Sequence, residues 1–410
     1  MVRELGRDRM EDGRDRLWSR LLSRRELLRG AGRGGLVGVA AAILAACGIE
    51  SSRPERRRER ESLPPLAMEL AIAQWPLYID RKTIPNFTED TGIEVDYKEV
   101  IGDNQEFFAV VSQALSADQA TGYDLIALSD WVVAKMNRLG WLEPIDQSLL
   151  PNVRANLRNS YRDPSYDPGN AHSVPWQGGI TGIAYNTELA GREITSFTEL
   201  WDDAFAGHVG MLTEMIDTMS LTMLSLGIDP ATASLDDAAR AQERLLEQRE
   251  AGIVRGYYGN DYIDGLARGD LWVSMAWSGD VFFLGQENPS LEFTIPDEGG
   301  VSWVTPLEIP AGAEHPRDAH AFLDYVYDPE VAADITSWVG YISPVPAVRD
   351  VLLARAEKSK AGRRAYLEAL ATSPLVFPDE DTLGRLYAYE PLTEEQEQGW
   401  NDLFQQVVQS

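Results

Sequence analysis

Met68-Glu69-Leu70-Ala71-Ile72-Ala73-Gln74-Trp75-Pro76-Leu77-Tyr78 opens the body of this 410-residue chain. Met68, Leu70 and Ile72 alternate at the period of a strand with one buried face. A helical stretch follows and ends at Gly92, after which Ile93, Val95 and Tyr97 alternate again. Phe107, Val111 and Leu115 share one helical face ahead of the continuous apolar strand Leu125 to Leu128. Short apolar strands traded for amphipathic helices predict an α/β domain around a largely buried sheet. Ligand sites of such sheets lie at the carboxyl ends of the strands.

Towards the C-terminus the pattern repeats. A second α/β stretch follows Trp176-Gln177-Gly178-Gly179, with strand Ile180 to Tyr185 leading to helices around Phe197 and Leu221, so a lobe boundary is expected nearby. Ala319, Phe322, Leu323 and Val326 make a helical stripe that leaves His320 facing solvent. Asp328-Pro329-Glu330 starts another helix with a capping residue, a proline at the first helical position and an acid in the first turn. The length exceeds one ordinary core and fits two domains. Hydrophobic residues at 44% and charged residues at 25% place the chain with soluble globular proteins, not disordered or membrane ones.

Upstream, Ser23-Arg24-Arg25-Glu26-Leu27-Leu28-Arg29 precedes a Gly/Ala-rich apolar run, Leu36 to Ala46, that ends at Leu44-Ala45-Ala46-Cys47. A basic region, a short apolar stretch and a small-residue cleavage site read as a secretory signal, too short for a spanning helix. The paired arginines resemble a twin-arginine signal, and the last four residues resemble a bacterial lipoprotein lipobox. Residues 1–46 are therefore expected to be the signal and Cys47 the lipidation site, anchoring an extracytoplasmic protein to the cell membrane. Cys47 is the only cysteine, so no disulfide or thiolate metal site is open to the exported body. Residues 47–65, rich in Ser, Arg, Glu and Pro, read as a flexible tether.

The formal charge is −28, and the signal hides some of the acidity. It holds 10 Arg against 6 acids, which leaves 27 basic and 59 acidic residues from Cys47 onward, a net of −32. Such a body repels nucleic acid and attracts cations. Its four histidines are scattered without metal-ligand spacing, and no nucleophile elbow, phosphate loop or calcium loop occurs, so neither metal nor cofactor is expected. Several of the eleven tryptophans stand at strand ends or turns: Trp75 before Pro76, Trp131 after Ser129-Asp130, Trp277 before Ser278-Gly279, and Trp303 after Gly299-Gly300. Tryptophans so placed either pack turns or line a cleft, where aromatic faces attract cations. Glu214 and Asp217 meet on one face if a helix begins there, as cleft acids or as complements to the helix dipole.

Ala73-Gln74-Trp75-Pro76-Leu77-Tyr78, Tyr123-Asp124-Leu125, Met275-Ala276-Trp277-Ser278-Gly279, Gly299-Gly300-Val301-Ser302-Trp303 and Gly340-Tyr341-Ile342-Ser343-Pro344 occur in this order. The set resembles the spermidine/putrescine-binding proteins of polyamine ABC transporters from about Met68 to Pro344, and more loosely beyond. The resemblance implies a two-lobed periplasmic-binding-protein-like fold of type II, with lobe 1 at 66–175 plus 305–340 and lobe 2 at 176–304 plus 341–410. It implies a monomer that performs no chemistry, holds a polyamine between aromatic faces and carboxylates, and delivers it to the permease of an ABC importer. By position, Trp75, Tyr78, Trp131, Trp277, Trp303 and Tyr341 would be the aromatic wall, Ser129 a polar contact, and Glu214 and Asp217 the carboxylates. The sequence departs from the family where an acid often follows Trp303 by two residues: it has Thr305. Two acids suit two ammonium groups, so a dication such as putrescine is expected to bind at least as well as spermidine, unless Asp130, Asp261 or Asp280 supplies the missing charge. A different small cation, a zwitterion or an organic anion is the alternative cargo.

Overall fold

The computed structural model describes residues 63–409, so the signal, Cys47 and most of the tether lie outside the described residues. Ten strands make one continuous sheet in the order β2-β1-β3-β9-β4-β7-β5-β6, with β10 (Leu386–Ala388) on β9 and β8 (Leu291–Thr294) on β4. At one end β1 (Glu69–Gln74) lies parallel between β2 (Glu94–Glu99) and β3 (Leu125–Ile126), with Ile72 opposite both Tyr97 and Leu125. At the other end β5 (Val209–Leu212) lies parallel between β6 (Val254–Tyr258) and β7 (Val273–Trp277). These are the two α/β units expected.

Two long antiparallel strands join them, β4 (Ser173–Asn186) and β9 (Gly300–Glu308), in register from Ser173 opposite Glu308 to Thr181 opposite Val301. The ladder slips between Pro175 and Gln177, which is how a bulge bends a strand. A third pass of the chain bridges Ile342 to Gly178. Gly178 is needed at this junction: a Cβ there would stand 2.1 Å from the Tyr161 hydroxyl. The expected lobe boundary at 175/176 thus falls within a continuous, buried strand.

Helices cover the sheet as the apolar spacing predicts. Helix α1 (Thr83–Thr91) ends on Gly92 at φ 77°, and α2 (Asn104–Ser116) buries Phe107, Val111 and Leu115. Next come α3 (Asp130–Leu139), α4 (Met215–Ser225), α5 (Leu235–Glu250) and α6 (Ser278–Glu287). Helix α7 (Pro316–Tyr325) is followed by α8 (Pro329–Val339), which is capped by Asp328 through the N–H groups of Glu330 and Val331. Helices α9 (Val348–Glu357), α10 (Ala361–Thr372) and α11 (Glu394–Gln409) close the chain.

One expectation changes, and one stretch lies between the two units. Helix α9 packs on α8 and α10 on α9, and Leu352, Leu367 and Leu370 join the apolar cluster built on Leu70 and Ile72. The stretch from Tyr341 to Val376 packs with the first unit through these helices and also meets the second, where Ser278 Oγ donates to the Leu375 carbonyl at 3.1 Å and Phe282 meets Tyr366; the sequence reading gives all of 341–410 to the second. Helix α11, with Trp400 and Phe404, does pack against α4 and α5 of the second. Apolar spacing says which face of a helix is buried and is silent about which unit buries it. His320, expected in solvent, is 1% exposed: its Nδ1 lies 2.6 Å from the Pro316 carbonyl and its Nε2 accepts the Asp146 N–H at 2.9 Å. Both ring nitrogens find partners, so a neutral imidazole is buried without loss, and burial pushes its pKa down.

Candidate functional site

β1, β3, β5 and β7 end at Gln74, Ile126, Leu212 and Trp277, and the residues at or just beyond those ends meet in one cleft. The cleft encloses about 720 Å³, solvent at its mouth included. All ten residues singled out from the sequence line it: Trp75, Tyr78, Ser129, Trp131, Glu214, Asp217, Trp277, Trp303, Thr305 and Tyr341. Asn104, Asp130, Asn260 and Tyr389 line it too. Of the three acids considered for the charge absent at Thr305, Asp130 is there. Asp280 is instead engaged by the Tyr262 hydroxyl at 2.8 Å, and Asp261 precedes the helix Tyr262–Arg268.

The aromatic rings are fixed by their polar edges. The indole N–H groups of Trp75, Trp131 and Trp277 donate to the Ala127 carbonyl at 2.8 Å, Glu214 Oε1 at 2.9 Å and Asp217 Oδ2 at 3.0 Å. What these rings can offer a ligand is apolar and π surface. Trp303 lies across Gly179, where a Cβ would come within 2.2 Å of its ring, so the glycine makes room for the indole. Its ring meets Tyr341 edge-on at 5.2 Å, and Tyr341 meets Tyr78 at 5.6 Å. The Tyr78 and Thr305 hydroxyls are 3.4 Å apart on the same wall.

The acids sit at the start of α4. Glu214 is its capping residue and Asp217 lies in its first turn, so the helix dipole favours their negative charge. Glu214 Oε2 accepts the Asn104 side-chain N–H at 2.9 Å, and Asp217 Oδ2 accepts the Thr181 hydroxyl at 2.6 Å. Asn104 spans from Glu214 to Ser129 Oγ at 2.8 Å and so ties α2, α3 and α4 together at the cleft. Among the described residues, the donors to these carboxylates are all neutral. No Lys, Arg or His lines the cleft among the described residues.

Burial, first, and the charge of Asp217, second, push the Glu214 carboxyl up to about 8 against the pull of its Asn104 and Trp131 hydrogen bonds. Burial likewise pushes Asp217 up to about 6 against its Thr181 and Trp277 bonds. The two titrate as a pair. Among the described residues no group of His, Cys, Asp and Glu could hold a metal ion. An apolar-walled cleft with buried acids that lack a counter-ion is chemically suited to an elongated cation, whose charge would complete the electrostatics.

The family model for bacterial extracellular solute-binding proteins matches residues 82–362. Spermidine/putrescine-binding periplasmic protein 1 of Haemophilus influenzae is 28% identical over 344 residues, covering 84% of this chain and 89% of that protein. The putrescine-binding periplasmic protein SpuD of Pseudomonas aeruginosa is 27% identical over 342 residues, covering 79% and 87%. A solved structure from Listeria monocytogenes, assigned as a spermidine/putrescine ABC transporter, superimposes with a TM-score of 0.73 at 26% identity over 83% of this chain and 99% of that one.

Proposed function

The chain belongs to the bacterial extracellular solute-binding proteins, which are transport proteins and not enzymes, and from that premise we propose that it captures a polyamine and delivers it to an ABC importer. The carrying observation is the cleft itself, with half-buried Glu214 and buried Asp217 paired to no cation and walled by Trp75, Trp131, Trp277 and Trp303. Each ammonium group that leaves water needs a carboxylate, or the desolvation cost forbids binding. The methylene spacer gains from apolar walls, at about 25 cal/mol per Å² removed from water. Relatives named for spermidine and putrescine binding support the same reading. In this reading the ten cleft residues contact the ligand, and the lobes close about the three chain passes near Gly178, Thr305 and Ile342. Lobe 1 takes 66–175 and 305–340, and lobe 2 takes 176–304 and 341–410.

Thermal shift with putrescine, spermidine, spermine, amino acids and thiamine tests the cargo. A ligand at 100 times its dissociation constant stabilises the fold by about 2.7 kcal/mol. A shift with thiamine or an amino acid and with no polyamine would sink the assignment. We place the protein on the outer face of the cell membrane, lipidated at Cys47, on the strength of the lipobox-like Leu44-Ala45-Ala46-Cys47. Cys47→Ser should release it from the membrane fraction; retention there would refute the anchor.

A further inference from the structure

Thr305 carries no charge, yet the wall around it is not neutral. Asp130, the first residue of α3, lines the cleft and is 4% exposed. Its Oδ2 accepts the N–H of Val304 at 3.0 Å, and its Oδ1 accepts the N–H of Trp131 at 2.8 Å. Val304 immediately precedes Thr305 on β9, so the carboxylate is held against the backbone of the strand segment whose side chain lacks the acid. A carboxylate offers about four lone-pair sites, and these two N–H groups use one on each oxygen. Neutral donors also leave its charge uncompensated. Asp130 is thus in the same electrostatic condition as Glu214 and Asp217. Burial pushes its carboxyl up to about 7, its two backbone hydrogen bonds oppose that, and the charge of Asp217 adds to it. Two buried acids, Asp130 and Asp217, and half-buried Glu214 share one cleft that no Lys, Arg or His lines among the described residues.

We propose that Asp130 is a third cation-binding acid of this cleft, standing in for the charge absent at Thr305, and that the protein consequently prefers a triamine to a diamine. This rests on the polyamine reading and revises its arithmetic, since two acids would favour putrescine and three match the three ammonium groups of spermidine. A purely structural Asp130, stapling α3 to β9, would predict no such preference.

Calorimetry with putrescine and spermidine separates the two. Wild type should bind spermidine at least about tenfold tighter than putrescine, a ratio that one extra compensated charge readily supplies. Asp130→Asn should erase most of that ratio by weakening spermidine about 10- to 100-fold while putrescine moves by less than about threefold. Adding Thr305→Asp to that variant should restore the preference, which a staple could not do. Thr305→Asp alone leaves Asp130 and both its N–H bonds in place, and it should change the ratio by less than about threefold because the third charge is already present. A tenfold gain in the ratio from Thr305→Asp alone, or an equal loss of both ligands in Asp130→Asn, would overturn the role of Asp130 and leave polyamine capture standing. Failure of wild type to bind either amine would overturn both.

Discussion

Two glutamates stand on either side of Trp131, Glu214 half-buried and Glu397 buried, and the donors around them differ. Glu214 faces the ligand cleft and accepts only neutral donors, the Trp131 indole and the Asn104 amide. Glu397, in the first turn of α11, is 6% exposed and bonds two cations, Lys135 Nζ and Arg138 Nη2, each at 2.6 Å. It lines a second cavity, which shares Trp131 with the first and holds both of those cations. Glu214 is the less buried of the two, and their helix positions are close. Counter-charge is what separates a carboxylate waiting for a cationic ligand from one that has its cations built in, and it is a better guide to function than burial or cavity size.

The strongest way to break that contrast is to neutralise the waiting acids. Glu214→Gln with Asp217→Asn should weaken polyamine binding by at least about 1,000-fold, the scale of stranding two desolvated ammonium groups. The ligand-free fold should hold or gain stability, because uncompensated buried charges have been removed. Calorimetry and urea unfolding measure the two sides. A parallel loss of stability would make these acids structural, as Glu397 is.

Acidity provides a milder perturbation. Glu214 and Asp130, pushed up to about 8 and about 7, keep protons in the folded protein that the unfolded chain has released above the ordinary carboxylate range. Where the folded state binds more protons, stability falls as pH rises, so the ligand-free protein should lose stability from about pH 4 to about pH 8 and level off above. Ammonium groups need the ionised acids, so affinity should move the opposite way, rising by up to about tenfold per pH unit for each proton released between pH 6 and 8. Calorimetry in buffers of different ionisation enthalpy counts those protons. A flat profile would mean the acids are already ionised in the empty cleft.

Trp303→Ala is smaller again. Lost area and cation–π attraction should cost about 1 to 3 kcal/mol of binding with little loss of fold stability, since the ring is only partly buried. Because Trp303 covers Gly179, an equal loss of stability would instead identify it as a packing residue of the β4–β9 junction.

The sequence carried the parts of this picture that are local or positional. Period-two alternation in Leu70 and Ile72 and the Gly92 stop describe β1 and α1 without reference to the rest of the chain, and Trp75 and Trp277 reach the cleft because they stand at the ends of β1 and β7. Asn104 was not legible. Following the capping Asp103, it reads only as a helix start, yet its amide bonds Glu214, 110 residues away. Asp130 appeared only as one of three acids to consider; its hydrogen bond to Val304 spans 174 residues. Burial of His320 rests likewise on Asp146, 174 residues distant. Long-range pairing leaves no mark on local spacing, and with acids so abundant their pairing cannot be drawn from composition.

Glu397 supplies the finest test of the contrast. Its two cations belong to α3, the helix whose first turn carries Trp131 into the cleft, while Glu397 itself belongs to α11, which packs on α4, the helix that carries Asp217. The ion pairs therefore tie together the two walls that hold the acids without lining the cleft. Lys135 and Arg138 are 30% and 32% exposed, so on losing Glu397 they can hydrate, and Arg138 keeps a bond to the Leu392 carbonyl. Glu397→Gln should accordingly cost only about 1 to 2 kcal/mol of stability, short of the penalty for stranding fully buried charges. Because the carboxylate is already neutralised, its removal changes the field in the cleft little, and polyamine affinity should stay within about threefold of wild type. Urea unfolding and calorimetry on the same variant give both numbers. If affinity falls as far as it does when Glu214→Gln and Asp217→Asn are combined, then Trp131 transmits the second cavity's charge to the first, and the two glutamates are one device rather than two.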